Sequence, residues 1–525
     1  MVLPPGVSAS DFSAALQQFQ GALGKEWVFT DPDDVGTYID AYSPAKGEAG
    51  ERFASAGLAP NTVEQVQAVV QIANKYKVPI YPISTGRNLG YGGAAPILSG
   101  SVMVDLRRMN RVLEVNEAHT YCLVEAGVSY FDLAQYIRDR KLNLWPDLPN
   151  PGWGSPVGNA LDRGVGRMRY RDHIGSQAGI EAVLPNGELV RTGMGSLPNS
   201  PLWHLHPHGF GPSIEGLFPQ GNFGIVTKMG FRMQRAPEAY TEYVVTSADL
   251  GTLNAVVEAH ERLFDDGIHD CSTGIGTPLL SSQDPEVIAL HDRPGDVSDR
   301  EWNELGKRKG IPCVSTRASL YGPSKLVDAM LEVARDRYTA IPGVDFKVGV
   351  RYKFPDDYDK VRDQDLTFIG VPQLLEFTIL GKGRKYGHYY YSPLIPMTGD
   401  ALLQSNKVLW KACRDFGAQW RWSGAVTMVP RSMMIIYAFY VSADPAENKK
   451  NRDLLEHLVR VAADHGWAEY RTGAMFQDTV SDVFSFNNHA MRRTLETIKD
   501  ALDPNGILAA GRGGIWPKHL RKAKA

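Results

Sequence analysis

The segment at residues 84–93 combines residue types that suit the binding of a diphosphate. It contains four glycines within ten positions and directly follows a β-rich segment at residues 78–83. Glycine has no Cβ atom, so several backbone N–H groups of such a loop can approach the oxygens of one anion closely. The loop matches neither G-x-G-x-x-G nor G-x-x-x-x-G-K-[ST], and taken alone it is explained better as a structural turn.

Three further glycine-rich segments occur at residues 154–159, 163–166 and 221–227. Several glycine-rich loops suit a long, extended ligand such as a dinucleotide. Their backbone N–H groups would bind its diphosphate, and the apolar residues beside the loops would contact its rings. Ordinary tight turns account for the same pattern, so both interpretations stay open. Asp162 and Arg163, between these segments, fit a local ion pair or the support of a cofactor loop better than acid–base catalysis.

A cluster of histidines raises the alternative of a metal site. His204, His206 and His208 alternate along the chain and would share one face of a strand. Three imidazoles could hold the metal of a metallohydrolase, but no fourth ligand is evident and Pro207 interrupts strand pairing. A structural segment without metal is therefore the interpretation we expect.

Composition limits the classes of partner. The chain has 525 residues, which is too long for a single core, so we expect at least two domains. Hydrophobic residues make up 43% and charged residues 22%, as in ordinary globular proteins. A net charge of −3 offers no general field for nucleic acid or anionic lipid. We therefore expect small molecules, or copies of the same chain, as partners.

The cysteines and the N-terminus predict a cytoplasmic protein that is not inserted in a membrane. The four cysteines are far apart and form no CxxC spacing, so neither a disulfide framework nor a zinc ribbon is indicated. Residues 1–10 lack the charge and hydropathy pattern of a signal peptide. No uninterrupted apolar run approaches the thickness of a bilayer.

Periodicity predicts the elements that position these loops. A capping-box pattern begins at Asn61, and apolar residues then repeat at helical spacing from Val63 to Tyr76. After Pro237 longer amphipathic helices appear, so we place a domain boundary near that residue in an α+β protein. Further predicted strands are 101–106, 121–125, 179–184, 188–192, 224–229 and 433–441, and further predicted helices are 129–141, 253–264, 326–338 and 448–465.

Residues 82–96, 152–166, 179–192 and 503–508 together resemble the vanillyl alcohol oxidase and 4-cresol-oxidising flavoprotein family, and the similarity covers nearly the whole chain. The resemblance implies a two-domain FAD-linked oxidase fold of the α+β class. Its FAD-binding domain would be built from both chain ends, at residues 1–237 and 468–525. A cap domain with an antiparallel sheet would be inserted at residues 238–467.

The resemblance also implies which residues hold FAD. His388, in Gly387-His388-Tyr389, matches the histidine that is bonded to the flavin 8α-methyl group, and a neutral imidazole is a competent nucleophile for that bond. Without the resemblance, a histidine hydrogen-bonded within the cap would be the better interpretation. The other expected cofactor-binding residues are Pro82, Ser84, Thr85, Gly86, Arg87, Asn88, Gly90, Ser155, Gly158, Asn159, Gly164, Gly224, Ile225, Val226 and Arg512.

Three residues match the family positions that hold a substrate phenol as phenolate, namely Tyr91, Tyr470 and Arg471. A fixed guanidinium and two phenolic O–H donors would stabilise an oxyanion and make the ring electron-rich. Hydride loss from the para α-carbon to flavin N5 then becomes easier and leaves a p-quinone methide. A surface ion pair is the usual role of an isolated arginine, so this assignment depends on the resemblance.

Two positions depart from the family pattern. Asn150 stands where an aspartate near flavin N5 is common, and Asp147 lies three residues too early to replace it. An amide cannot act as a general base, so water activation and flavin attachment are in question. Arg167 stands where a tyrosine is typical. It could balance the lost carboxylate, bind an acidic substituent of the substrate, or turn outward without a role.

The resemblance implies an oxidase that converts para-substituted phenols, among them 4-hydroxybenzyl alcohols, 4-alkylphenols, 4-allylphenols or larger lignin-like phenols. Dioxygen would be reduced to hydrogen peroxide, and a homodimer or a higher oligomer is implied. One alternative is a cytochrome-linked 4-alkylphenol dehydrogenase or hydroxylase, which attachment through a histidine disfavours. Another is a flavin-binding module whose turnover is impaired by Asn150 and Arg167.

Overall fold

The computed structural model describes residues 2–381, 386–418, 422–427 and 430–521. The helices are α1 Ala9–Leu23, α2 Pro32–Val35, α3 Val63–Tyr76, α4 Tyr130–Asp139, α5 Pro156–Leu161, α6 Leu253–Asp265, α7 Pro285–Asp292, α8 Asp299–Lys309, α9 Ser324–Thr339, α10 Leu375–Gly381, α11 Gly399–Asp415, α12 Pro445–Asp464, α13 Gln477–Val483 and α14 Phe486–Leu502. The strands are β1 Val28–Phe29, β2 Gly57–Leu58, β3 Ile80–Ile83, β4 Val102–Asp105, β5 Val112–Asn116, β6 Tyr121–Glu125, β7 Leu144–Trp145, β8 Gln177–Val183, β9 Leu189–Arg191, β10 Ile225–Arg232, β11 Gln234–Arg235, β12 Ala239–Ser247, β13 Thr273–Gly276, β14 Val314–Gly322, β15 Val344–Lys353, β16 His388–Tyr391, β17 Pro393–Pro396, β18 Trp422–Thr427, β19 Ser432–Tyr440 and β20 Ala468–Glu469.

The first part of the chain forms two larger sheets around one core, and β7 and β11 form a separate two-stranded sheet. The order of the first sheet is β1-β2-β4-β3, in which β2, β4 and β3 run parallel. The second sheet has the order β5-β6-β10-β8-β9 and is antiparallel. Strand β3 matters most for the site, because the glycine-rich loop follows directly from its end.

Helix α3 illustrates how the sequence builds this part. Its apolar positions Val66, Val69 and Val70 are fully buried against the core, as periodicity predicts. The cap lies one residue later than expected, because the Thr62 side chain accepts from the Gln65 backbone N–H at 3.2 Å. The Gln65 side chain accepts from the Asn61 N–H at 2.7 Å rather than from Thr62, so the helix has an N-cap at Thr62 without a full capping box.

The middle of the chain forms a large antiparallel sheet. Its order is β15-β12-β14-β13-β18-β19-β17-β20, and β16 pairs with β19. Apolar faces of α6, α9, α11 and α12 cover it and share one core with it. This sheet is the antiparallel cap that the resemblance implied. Because β20 pairs with β17, the sheet extends to Glu469, directly before Tyr470.

The end of the chain returns to the first domain. The Ile80 N–H donates to Ile507 at 2.7 Å, and the Ala509 N–H donates to Ile80 at 2.8 Å, so the C-terminal segment joins β3. Lys499 is fully buried and donates to the carbonyls of Asn222 and Leu508, each at 2.7 Å. Both chain ends therefore build one domain, which confirms the predicted two-domain fold.

Other elements also agree with the periodicity of the sequence. Helices α6, α9 and α12 and strands β6 and β19 lie within one to three residues of the predicted limits. In the described part of the chain, no helix has both the length and the apolar character needed to cross a membrane.

Candidate active site

A cavity lies at the end of β3, between the first sheets and the C-terminal segment. Besides the cofactor residues expected from the sequence, Tyr81, Asp162, Phe218 and Gln220 line it. The expected residues that line it are Pro82, Ser84, Thr85, Gly86, Arg87, Asn88, Ser155, Gly158, Asn159, Gly224, Val226 and Arg512.

The cavity offers donors that suit a diphosphate. In the part of the chain that the structure describes, the backbone N–H groups of residues 85–88 have no protein acceptor. Such a row of free N–H groups at the edge of a cavity suits an anionic ligand. Gly158 permits the close approach of the second loop, since a Cβ there would lie 2.1 Å from the Ser84 Oγ. These residues fit the diphosphate of FAD.

Three expected cofactor residues lie beside the cavity without lining it. Ile225 is buried in β10 and pairs with Val183. Gly164 packs on Asn159, where a Cβ would lie 1.9 Å from the Oδ1 atom. Gly90 has a φ of +88°, and a Cβ atom at this position would lie only 2.9 Å from the Tyr390 ring. All three shape the wall behind residues that line it.

His388 begins β16 and is buried next to the glycine-rich loop. Its ring lies 5.1 Å from the Tyr42 ring and 4.8 Å from the Tyr390 ring. The Tyr390 N–H donates to the Gly90 carbonyl at 3.3 Å, which joins β16 to the loop. His388 is not among the lining residues of the cavity in the described chain. The structure thus brings this histidine to the glycine-rich loop.

Tyr91, Tyr470 and Arg471, which we call the clamp, lie close together in the structure. The Arg471 guanidinium lies 3.8 Å from the centre of the Tyr91 ring and 5.3 Å from that of Tyr470. The two tyrosine rings meet edge to face at 6.4 Å. The Arg471 Nε is buried and has no hydrogen-bond partner among the described residues. The cluster therefore presents an unsatisfied cationic donor beside two phenolic hydroxyls.

Burial sets the charge states of the clamp. It raises the pKa of Tyr470 well above its ordinary range, and Arg471 beside it acts in the opposite direction. Burial lowers the pKa of Arg471, but the oxygens of Tyr470, Tyr91 and Asp162 outweigh that effect and raise it. A neutral tyrosine donor and a permanent cation in a dry place are the combination that stabilises an oxyanion.

The end of the cap sheet holds the clamp in place. Ser392 follows β16, and its Oγ lies 3.1 Å from the Tyr91 hydroxyl. The Ser392 backbone N–H donates to the Glu469 carboxyl at 2.9 Å. Burial raises the pKa of Glu469 to about 8. The pairing of β17 with β20 thus fixes Tyr91 and Tyr470 relative to each other.

Asp162 connects the clamp with the cofactor cavity. It pairs with Arg512, lies 3.7 Å from Arg471, and accepts from the Asn88 Nδ2 at 2.7 Å. The expected local pair with Arg163 is not formed, because Arg163 is exposed and Asp162 turns inward. Asp162 instead supports the cofactor loop, which was the other interpretation of this position.

Arg167 does not turn outward. Its Nε and Nη2 atoms both donate to the Asn150 Oδ1, at 2.9 and 2.6 Å. The Arg167 backbone N–H donates to Asp147 at 2.8 Å, and the Met168 N–H donates to the same oxygen at 3.1 Å. The two departures from the family pattern are therefore in direct contact with each other.

Two residues of this region were missed by the sequence analysis. The Tyr390 hydroxyl donates to the Glu376 carboxylate at 3.1 Å, and the Tyr390 ring lies 5.3 Å from that of Tyr91. Alternate residues of a strand share one face, so Tyr390 had to point the same way as His388. That alternation was the available signal for Tyr390. Glu376 carried no comparable signal.

The histidine cluster forms no metal centre in the described residues, where no three metal-binding side chains are grouped. His204 is turned to the protein and its Nδ1 lies 2.6 Å from the Ala178 carbonyl. His206 and His208 are exposed, with ring centres 6.0 Å apart. The three imidazoles are therefore not grouped in the described structure.

Known flavoproteins are similar to this chain over nearly its whole length. A family model described as an FAD binding domain matches residues 54–193. The flavoprotein subunit of 4-cresol dehydrogenase (hydroxylating) from Pseudomonas putida is 32% identical over 527 residues, which cover 98% of each chain. The structure of 4-ethylphenol oxidase from Gulosibacter chungangensis in complex with isoeugenol superposes with a TM-score of 0.86 at 35% identity, over 99% of this chain and 100% of that chain. Substrate-bound p-cresol methylhydroxylase gives a TM-score of 0.84 at 31% identity, over 98% and 99% of the two chains. The chain therefore belongs to the vanillyl alcohol oxidase and 4-cresol-oxidising family of FAD-dependent, phenol-oxidising enzymes.

Proposed function

We propose that this enzyme oxidises para-substituted phenols at the carbon attached to the ring and uses dioxygen as electron acceptor. The substrate class comprises 4-alkylphenols, 4-allylphenols, 4-hydroxybenzyl alcohols and larger lignin-like phenols. The names of the similar proteins, which refer to 4-cresol and 4-ethylphenol, support this class.

One observation carries the proposal, which is the convergence of Tyr91, Tyr470 and Arg471. A phenol oxygen among these groups would meet two O–H donors and the free Nε of a buried guanidinium. Such donors lower the pKa of the bound phenol, because they stabilise its anion more than the neutral form. The clamp would hold the substrate as phenolate.

The phenolate state prepares the oxidation. Bound FAD supplies a two-electron hydride acceptor and returns the electrons to dioxygen, which yields hydrogen peroxide. The phenolic proton leaves to solvent, and loss of a hydride from the α-carbon converts the phenolate into a neutral p-quinone methide. Water then adds to that carbon, or a β-proton is lost to form an alkene. The residues that would hold the cofactor are those lining the cavity, with Arg512 and Asp162 beside it.

We assign His388 as the residue that carries the flavin covalently. Its burial next to Gly90 supports the assignment, since β16 and the glycine-rich loop are joined by a backbone hydrogen bond. Attachment through an imidazole would withdraw electron density from the flavin and raise its potential. A higher potential favours hydride uptake from the substrate.

Asn150 is the feature that favours an impaired module over an enzyme. Its amide oxygen is occupied by Arg167 and cannot accept a proton at neutral pH. The intact clamp supports turnover nevertheless, because groups that stabilise a phenolate also make its ring easier to oxidise. Water addition would then proceed without a carboxylate at position 150.

Domain limits and assembly complete the proposal. We place the FAD-binding domain at residues 1–237 and 468–525 and the cap at 238–467, with β20 contributing to the cap sheet across the second limit. We also propose a homodimer or a higher oligomer in the cytoplasm. Light scattering of the purified protein would measure the oligomeric state.

Anaerobic mixing of the holoenzyme with 4-ethylphenol and with 4-hydroxybenzyl alcohol tests the proposal. We expect both to bleach the oxidised flavin, and 4-methoxytoluene, which has no ionisable oxygen, to leave it unchanged. Spectral shifts without bleaching would contradict turnover and support a binding module. Mixing the reduced enzyme with dioxygen or with cytochrome c then identifies the acceptor. Reoxidation by dioxygen no faster than that of free flavin would contradict the oxidase.

A further inference from the structure

Arg167 is a cation whose direct side-chain partner in the described chain is a neutral amide. Two of its N–H groups donate to the Asn150 Oδ1, at 2.9 and 2.6 Å. A guanidinium carries five N–H donors, so three stay available. Buried charges are normally paired with an opposite charge, as Arg471 and Arg512 are with Asp162. The Arg167 side chain departs from that pattern.

The charges that face Arg167 do not supply the missing partner. Burial lowers the pKa of Arg167, and Glu376 and Asp147 act against that effect, whereas Arg317 adds to it. The Glu376 carboxylate already accepts from the Tyr390 hydroxyl, and the Asp147 Oδ1 accepts two backbone N–H groups. No ion pair joins Arg167 to either acid within the described residues.

A second arginine, Arg317, lies close to Arg167 and lowers its pKa further. The guanidinium carbons of Arg317 and Arg167 lie 5.3 and 5.9 Å from the centre of the Phe368 ring. Arg317 itself is paired with Glu242 and Asp365. Arg167, unlike Arg317, has no carboxylate within ion-pair distance among the described residues, although the Arg317 Nε also lacks a hydrogen-bond partner.

The Arg167–Asn150 pair is connected with the clamp. The segment after Asn150 lies beside the segment that carries Glu376, because the Gly152 N–H donates to the Gln373 carbonyl at 3.0 Å. Glu376 binds Tyr390, whose ring lies 5.3 Å from that of Tyr91. Glu376 therefore contacts the clamp through Tyr390, and it acts on Arg167 electrostatically without a direct hydrogen bond.

We propose that Arg167, held in place by Asn150, binds an anionic group on the para substituent of the substrate, and that this group is a carboxylate. The inference rests on the proposed function, because it presumes a phenol oriented by Tyr91, Tyr470 and Arg471. The preferred substrates would be 4-hydroxyphenyl alkanoates. Their phenol oxygen would contact the Arg471 guanidinium and their carboxylate would contact the Arg167 guanidinium.

The chemistry of both residues favours a carboxylate. The planar fork of a guanidinium matches the two oxygens of a carboxylate, and Arg167 keeps enough free N–H groups for two parallel bonds. An aspartate at position 150 would neutralise Arg167 and repel an anionic substituent. Asn150 fixes the guanidinium without neutralising it, so the amide and the cation act together.

Equilibrium binding tests the inference without turnover. The ligands are 4-hydroxycinnamate and its methyl ester, which have the same phenol but no sp3 α-carbon from which a hydride could leave. Calorimetry with the holoenzyme measures both dissociation constants. The Arg167→Gln variant should bind the acid roughly 10- to 100-fold more weakly than the parent enzyme does, as expected for a lost charge-assisted hydrogen bond, and bind the ester within about 2-fold.

Two further variants separate recognition from general damage. Asn150→Asp supplies an internal carboxylate to Arg167, so it should also weaken the acid selectively. Arg169→Gln is the matched control, because Arg169 lies two residues further on, is exposed and pairs with Asp270. That control should change neither dissociation constant. The FAD content of every variant is measured from its absorbance, so that loss of cofactor is recognised.

The matching kinetic experiment keeps the inference distinct from the proposed function. Anaerobic flavin bleaching is followed with 3-(4-hydroxyphenyl)propanoate and with its methyl ester. The inference is supported if, at low substrate concentration, the acid bleaches the flavin faster than the ester does and this difference is lost in Arg167→Gln. If the ester bleaches the flavin and the acid binds no better than the ester, the inference is overturned while the proposed function stands. If neither these compounds nor 4-ethylphenol bleaches it, the proposed function fails and the inference fails with it.

Discussion

The guanidinium of Arg471 lies against the face of the Tyr91 ring, 3.8 Å from its centre. These residues are 380 positions apart in the chain, and the pairing of the cap sheet with the strand before Arg471 brings them together. The stacking on Tyr91 restricts the orientation of the guanidinium, whose buried Nε has no hydrogen-bond partner among the described residues.

Replacing Arg471 by methionine should lower kcat/KM for 4-ethylphenol by about 100- to 1000-fold, which is the usual effect of removing one oxyanion donor. Steady-state oxygen consumption measures the change. Arg460→Met on the exposed side of α12 is the control and should leave kcat/KM unchanged. Equal activity of both variants would show that Arg471 does not act on the substrate.

Replacing Asp162 by asparagine should weaken FAD retention and destabilise the fold. The change leaves Arg512 and Arg471 without their shared carboxylate, and removing one member of a buried ion pair costs about 3 kcal/mol. Urea unfolding and the FAD content after gel filtration measure the two effects. Asp464→Asn, at an exposed position, serves as control. Unchanged values in Asp162→Asn would contradict the role of Asp162 as the link between clamp and cofactor.

The buried Glu469 predicts a defined pH dependence of stability. Burial raises its pKa to about 8 in the folded protein. Below the pKa that Glu469 has in the unfolded state, its carboxyl is protonated in both states, so it does not make the free energy of unfolding depend on pH. Between the unfolded pKa and about 8 the folded state holds a proton that the unfolded state has released. The free energy of unfolding therefore falls as pH rises through this window, by at most roughly 1.4 kcal/mol per pH unit.

Glu469→Gln removes this titration, because an amide does not ionise while its oxygen can still accept from Ser392. The variant should show a flatter profile between pH 5 and 8 and a higher free energy of unfolding than the parent above pH 8. Urea unfolding at several pH values measures both. Glu456→Gln, on the solvent-facing side of α12, should show the same pH dependence of the free energy of unfolding as the parent. If Glu469→Gln also kept that pH dependence, the titration of the buried Glu469 would be refuted.

Replacing His388 by alanine should abolish covalent flavin. Denatured parent protein is expected to keep flavin fluorescence in a gel band, and the variant is expected to release all of it. His119→Ala, an exposed histidine, should behave as the parent does. Flavin that stays attached in His388→Ala would move the tether to another residue.

Local patterns predicted much of the fold and the position of the glycine-rich loop, which taken alone was explained better as a structural turn. The apolar spacing of α3 and the glycines after β3 depend on neighbouring residues, and the structure agrees with both, apart from the one-residue shift of the cap to Thr62. The clamp could be named only through the resemblance, since no local pattern links Tyr91 with Arg471. Composition and periodicity alone would have left the protein as an α+β enzyme with an open choice of ligand.

Local sequence patterns could not predict the contacts between residues that are far apart in the chain. Asp162 sits next to Arg163 in the chain but pairs with Arg512, 350 positions away. The inward turn of Arg167 depends on Asn150, 17 positions earlier, and on the burial of that loop against the cap. The burial of Glu469 arises from the pairing of two strands that are far apart in sequence.

The absorption spectrum of a bound phenol tests the clamp most directly. 4-Hydroxycinnamate methyl ester absorbs at longer wavelength as phenolate than as neutral phenol, and it is not oxidised by hydride loss. We predict that the holoenzyme binds it with the phenolate spectrum at a pH well below the pKa of the free ester, and that Arg471→Met binds it as the neutral phenol. A neutral spectrum in the parent enzyme would contradict the clamp and the function built on it.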